Sequence, residues 1–208
     1  MEPKATKGLM DRFTTLVWAV IGGGAVVAIS IWPGDGLAQM GGLNVDRIGP
    51  SPIFSAAKVG DWQSVDFLLK GGINPNISES ETGQTALVIA AKSRHFDIVE
   101  TLLKFGAKPD IADDYGKTAL SWAAQNGEFD VAKLLLDAKA NPNHQSKEGM
   151  TPLMLAIKGS YANVVQLLLD QQPDFSIRDY TGRGPLDWSR AQRDRRIESM
   201  LRRAGATG

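Results

Sequence analysis

The sequence has no cysteine and only two histidines in 208 residues. Without cysteine there is no disulfide framework, no thiolate zinc site and no thiol nucleophile. Net charge is missing too, since 23 Lys and Arg balance 23 Asp and Glu. A dedicated nucleic-acid binder needs a basic surface that displaces counterions, so nucleic acid is not an expected partner. Catalytic patterns are equally scarce. No serine sits in a Gly-x-Ser-x-Gly turn, and His95 and His144 have no ligand spacing for a metal. Both histidines read as structural positions. Gly22-Gly23-Gly24 falls inside an apolar run rather than in a phosphate loop. No catalytic residue, cofactor, metal or small-molecule substrate is therefore expected, and the chain reads as non-enzymatic. A disordered composition is absent as well: 43% apolar and 22% charged residues suit a chain that buries a core.

The one long apolar run is near the start. Residues 13–32, FTTLVWAVIGGGAVVAISIW, carry no charge. As a helix they would reach roughly 30 Å, the thickness of a bilayer's hydrocarbon core. Lys4, Lys7 and Arg12 precede the run and Asp35 is the first charge after it. That asymmetry points the rest of the chain away from the cytoplasm. Two readings of residues 1–38 stay open. In one it is a cleaved signal, with Gly36-Leu37-Ala38 as the small-residue site and Gln39 as the new terminus. In the other it is a retained transmembrane anchor, flanked by Trp18 and Trp32 and giving membrane association through 13–32. Either way the expected location is extracytoplasmic, in a periplasm if the source is a Gram-negative bacterium. Residues 39–51 carry glycines and a proline with no period and read as a flexible linker.

The remainder repeats. Gly83, Gly116, Gly149 and Gly182 are each 33 residues apart, as are Leu87, Leu120, Leu153 and Leu186. Leu69 precedes Leu103 by 34, and the extra residue falls in the polar stretch 77–83. The domain 52–206 thus divides into units of about 51–76, 77–110, 111–143, 144–175 and 176–206. Each unit holds a short alanine-bearing apolar segment, such as ALVIAAKS, and then an amphipathic one, such as DIVETLLKFG. Asn-Pro-Asn, Lys-Pro-Asp or Pro-Asp turns separate the units. The Leu-Leu pairs lie on one helical face and need cover. Ala56, Ala57, Ala90, Ala91, Ala123 and Ala124 are small enough for helices to touch closely.

The runs GQTALVIAA…IVETLLKFGA, GKTALSWAA…VAKLLLDAKA and GMTPLMLAI…VVQLLLDQQP resemble the ankyrin repeat. GRGPLDWSR…IESMLRRAGA matches more loosely, and the first unit, lacking the Gly-x-Thr opening, reads as an N-terminal cap. The resemblance implies an all-α solenoid of about five helix-turn-helix units joined by short β-hairpin fingers, here preceded by one N-terminal hydrophobic helix. It also implies a protein-binding role. The histidine expected after the repeated leucine is replaced by Val88, Ser121, Met154 and Asp187. Lys139 and Gln172 stand where Gly72, Gly106 and Gly205 end other units. A left-handed corner there would cost about 1 kcal/mol without glycine, so those corners are expected to be weaker or to turn differently.

By the same resemblance, partners bind the concave side, made of finger tips and the inner face of the first helices. In register those positions are Glu81, Thr82, Gln84 and Lys92 in the second unit. In the third they are Asp114, Tyr115, Lys117, Gln125 and Asn126; in the fourth Lys147, Glu148, Met150 and Lys158; in the fifth Tyr180, Thr181 and Arg183. Tyr115 and Tyr180, at tips where an aromatic is hard to bury, are the expected recognition anchors. Trp122 and Trp188 occupy equivalent first-helix positions, where Ile89 and Leu155 stand in other units, and read as core. Asp113-Asp114 reads as a pair of solvated acids at a hairpin tip. Charge is uneven along the array. Residues 178–208 carry eight Arg against four acids, whereas residues 39–177 carry twelve basic and sixteen acidic groups. The basic last unit reads as a solubilising cap. Its alternative is a patch for an acidic partner or anionic headgroups.

Overall fold

In the computed structural model, which describes residues 15–21, 25–31 and 51–207, the repeats fold as five helix pairs. The chain divides into two compact units, residues 1–43 and 44–208.

The first unit departs from expectation. Thr15–Ile21 (β1) pairs antiparallel with Ala25–Ile31 (β2), with Val20 opposite Val26 and Thr15 opposite Ile31. The helix expected over 13–32 is corrected to a strand pair. The physical reason is legible in hindsight. Thr15, Val17, Val20, Ile21, Val26, Val27, Ile29 and Ile31 are β-branched, which favours a pleated strand over a helix. Each of the three intervening glycines would also cost a helix about 1 kcal/mol. Those glycines, the basic flank, the cleavage site at Ala38 and most of the linker 39–51 lie outside the described residues. No helix among the described residues is long and apolar enough to cross a membrane.

In the second unit the helices alternate short and long. The first helices are Pro52–Val59 (α1), Ala86–Lys92 (α3), Ala119–Asn126 (α5), Pro152–Lys158 (α7) and Pro185–Ala191 (α9). The second helices are Trp62–Lys70 (α2), Phe96–Lys104 (α4), Phe129–Asp137 (α6), Ala162–Leu169 (α8) and Arg195–Arg203 (α10). Starts are set by side-chain caps. Thr85, Thr118 and Thr151 each accept a hydrogen bond from the amide three residues on, Val88, Ser121 and Met154. In the last unit Gly184 cannot cap this way, and Asp187 reaches back to accept from the Gly184 amide at 2.9 Å.

Successive first helices pack against one another more closely than successive second helices, so the stack bends with the first helices inside. Alanine makes that approach possible: Ala57, Ala90, Ala91, Ala123, Ala124 and Ala156 are fully buried. One hydrophobic cluster runs the length of the stack, with Leu87, Leu120, Leu153 and Leu186 at equivalent depths. Each leucine side chain taken from water contributes about 1.5–3 kcal/mol. The cover comes from neighbouring units.

The corners also repeat. Between paired helices the left-handed residue is Gly60, Arg94, Gly127, Ser160 or Arg193. After the second helix it is Gly72, Gly106, Lys139, Gln172 or Gly205. Lys139 (φ 67°) and Gln172 (φ 52°) therefore make the same turn as their glycine counterparts, and the expectation that they turn differently does not hold. The fit of the whole array requires this corner, so the local preference is overridden.

Candidate functional site: the inner groove

Four fingers line one edge of the groove, each closed by a backbone bond across its base. The amides of Asp113, Ser146 and Asp179 donate to the carbonyls of Lys117, Met150 and Arg183. In the first finger Glu79 donates to Gln84, one residue further along, which places the extra residue of the 34-residue spacing in this loop. The expected β-hairpins are corrected to tight turns. With so few residues per finger there is little ladder to form, and Ser78 with Thr85 is the isolated bridge among the described residues.

The fingers are stitched to one another. The Asp114 amide donates to Thr82, Lys147 to Tyr115 and Tyr180 to Glu148, at 3.0, 2.9 and 3.2 Å. Each acceptor immediately precedes a glycine in the left-handed region, Gly83, Gly116 or Gly149. A Cβ on Gly116 would lie 2.7 Å from the Lys147 amide nitrogen, so the stitch itself demands glycine. A second seam joins the turns between units. The Lys108 amide donates to Asn76 Oδ1, Asn141 to Asp110 and Asp174 to Asn143.

The groove's most organised feature was not foreseen as a set. Asp113 is buried, not solvated as expected. Its Oδ1 accepts from the Tyr115 and Lys117 amides, and its Oδ2 accepts from Trp122 Nε1 at 2.8 Å. Asp179 repeats this two units on. Its Oδ1 accepts from the Thr181 and Arg183 amides and the Thr181 hydroxyl, and its Oδ2 from Trp188 Nε1 at 3.0 Å. Burial pushes the Asp179 carboxyl up, but the bonds from Thr181, Arg183 and Trp188 outweigh it and hold the group below its usual range. Cations lie over both indoles. Lys92 and Lys117 Nζ are each 4.7 Å from the Trp122 centroid. Over Trp188, Arg183 lies at 4.4 Å and Lys158 Nζ at 5.5 Å. Such stacking is worth about 0.5–1 kcal/mol per exposed cation. A signal was present in the sequence: an acid three residues before the finger glycine and a tryptophan six after it occur together twice, at Asp113 and at Asp179.

The other expected positions divide. Tyr115 and Tyr180 project at the tips, 61% and 76% exposed. Glu81, Asp114, Lys147, Glu148 and Thr181 are exposed, and Thr82 is partly buried with its hydroxyl donating to Glu79. Lys92 and Lys158 are exposed at the ends of α3 and α7. Gln125 accepts from Lys117 Nζ, and Asn126 donates to the Lys92 carbonyl across units. Gln84 and Met150 are corrected: both are buried and offer no surface to a partner. By register they hold the slot of Lys117 and Arg183, in units where Ile89 and Leu155 stand at the tryptophan position.

Both histidines bridge units. His95 Nε2 meets the Lys58 carbonyl at 3.2 Å and His144 Nε2 the Gly116 carbonyl at 3.0 Å. On the outer side, Trp62, Phe96 and Phe129 begin successive second helices and stay exposed. The last unit's arginines are only partly neutralised. Arg190 meets Asp187 and Glu198, and Arg202 meets Glu198, all on the surface where such pairs contribute little.

The family described as ankyrin repeats in three copies matches residues 53–146 and 120–201. The chain belongs to the ankyrin-repeat family. Similar stretches occur in an ankyrin repeat protein of Acanthamoeba polyphaga mimivirus, 46% identical over 26% of this chain and 13% of that protein. A glycerophosphocholine phosphodiesterase of Candida albicans is 34% identical over 35% of this chain and 6% of its own length. A human mitochondrial disaggregase is 36% identical over 30% of this chain and 9% of its own length. The chain thus matches only a small part of each relative, and the ankyrin family is what they share with it. Ankyrin repeats typically act as protein-protein interaction modules, and such domains are generally non-catalytic.

Proposed function

We propose that this ankyrin-repeat protein is a non-catalytic binding module that grips a client protein through its inner groove, outside the cytoplasm. The observation that carries the binding reading is the pair Tyr115 and Tyr180. They stand exposed on fingers that backbone bonds hold to their neighbours. A rigid aromatic tip loses little conformational freedom on association, so its contact area converts efficiently into affinity. The uncharged run 13–32 behind a basic flank supports the extracytoplasmic part of the reading. In that setting the module serves as an accessory or protective partner of an exported or envelope protein.

Crosslinking in the native envelope tests this. A discrete captured protein is expected, and the double substitution Tyr115→Ala with Tyr180→Ala is expected to abolish capture while leaving thermal unfolding unchanged. Capture indifferent to both changes would remove the groove reading. Fractionation tests location: release as a soluble species beginning near Gln39 is expected. Full-length chain held in carbonate-washed membranes would instead make it a tethered subunit of a membrane complex.

A further inference from the structure

We propose that the inner groove takes an extended acidic segment of its client, with carboxylates docking at two cation pairs, Lys92 with Lys117 and Lys158 with Arg183. This rests on the groove being the binding face and names the chemistry it selects. Two cations lie over one indole, and the arrangement occurs twice, two units apart. Each indole N–H is bonded to a buried carboxylate, Asp113 or Asp179, which fixes the ring as a platform. Those carboxylates are spent inward on backbone amides and the indole. Among the described residues, no carboxylate lies within 4.0 Å of Lys92, Lys117 or Lys158, and Arg183 has Asp179 at that limit. Each cluster therefore keeps one net positive charge at the groove floor.

The rim is net acidic, with Glu81, Asp114 and Glu148 exposed on the finger tips against Lys147. A ligand with negative charge on every residue is repelled at the rim, whereas one with carboxylates only at the floor positions is not. In the intervening unit the indole and finger slots hold Leu155 and Met150, both buried, and its Lys158 lies over Trp188 of the following unit. The two docking points are separated by two helix layers, about 16–20 Å at ordinary helix spacing. An extended chain at about 3.3 Å per residue covers that in roughly five or six residues.

The test is fluorescence anisotropy on the full chain with a labelled Gly/Ser peptide of about twelve residues carrying two Glu-Glu pairs, their spacing set by that estimate. A composition-matched peptide with its glutamates scattered is the control. Saturable binding that weakens as salt rises is expected for the paired peptide, and at least tenfold weaker binding for the scattered one. Lys92→Gln with Lys158→Gln is expected to weaken the paired peptide at least tenfold, and Lys104→Gln with Lys133→Gln on the outer helices less than twofold, with both variants still unfolding in one cooperative transition. Equal binding of the two peptides, equal loss from inner and outer substitutions, no saturable binding, or equally potent displacement by a single-stranded oligonucleotide would each overturn the proposal. Client capture separates this inference from the reading beneath it. If capture survives Lys92→Gln with Lys158→Gln but is lost with the two tyrosine changes, the groove binds and its acid preference is wrong. If capture survives both sets, both fall.

Discussion

Glycine and non-glycine corners at equivalent positions make opposite predictions. Gly106 turns at φ 82° with open space where a Cβ would stand. Gly106→Ala therefore isolates the backbone cost from any clash. A left-handed L-residue costs about 1–2 kcal/mol. Alanine's stiffer unfolded chain returns about 0.4–1 kcal/mol. The net loss is about 0.5–1 kcal/mol. Lys139 and Gln172 already bear that cost at φ 67° and 52°, and both side chains are exposed. Lys139→Gly and Gln172→Gly should each gain about 0.5–1 kcal/mol by the same arithmetic run backwards. The sites are one unit apart, and no side-chain contact between them enters the estimate, so the double variant should gain about 1–2 kcal/mol. For a domain of this size that raises Tm by about 2–8 °C. A urea melt followed by tryptophan fluorescence should show the midpoint rising with an unchanged slope. If Lys139→Gly and Gly106→Ala shift the midpoint in the same direction, backbone conformation is not what distinguishes these corners, and the reasoning fails.

Gly116→Ala should cost clearly more than Gly106→Ala, because its Cβ would press on the Lys147 amide in addition to occupying the left-handed region; comparing the two urea midpoints checks this. Thr118→Ala should destabilise by about 1 kcal/mol through the lost cap on Ser121, read in the same melt. Asp179 has a folded pKa depressed below its usual 3.8, so its stabilising contribution is full above about pH 4 and is lost as pH falls through the folded value. Asp179→Asn should remove that acid-side dependence and cost about 1.5–3 kcal/mol at neutral pH, read by melts across the acid range.

The helix pairs were legible because their signal is redundant. The glycine, the leucine and the leucine pair each repeat at one interval, and any one of them fixes the others' phase. The finger insertion could be placed for the same reason. The N-terminal run has no second copy to set its phase, and length and hydrophobicity alone favoured a helix where β-branched residues paired as strands. The groove was legible as positions but not as chemistry. Register placed Lys92, Lys117, Lys158 and Arg183 on one face, yet nothing in spacing alone says that Asp113 turns inward to bond an indole nine residues away. Gln84 and Met150 were assigned by register to a slot that Lys117 and Arg183 hold near an indole, and in units with an aliphatic residue at the indole position the same slot is buried. Tyr161 went unmarked because it stands where His95 stands. Its ring lies so close to Gly127 and Gly159 that a side chain on either would collide with it.

The bonds between fingers all run the same way, each amide reaching back to the finger before it. Thr181 holds the next place in that series, and a Cβ on Gly182 would meet nothing within 4 Å. The last finger is thus a socket of known shape. A copied 33-residue unit grafted behind it would find its first hydrogen-bond acceptor already oriented, and the arginine-rich last unit is what would have to change for a further helix pair to pack on it.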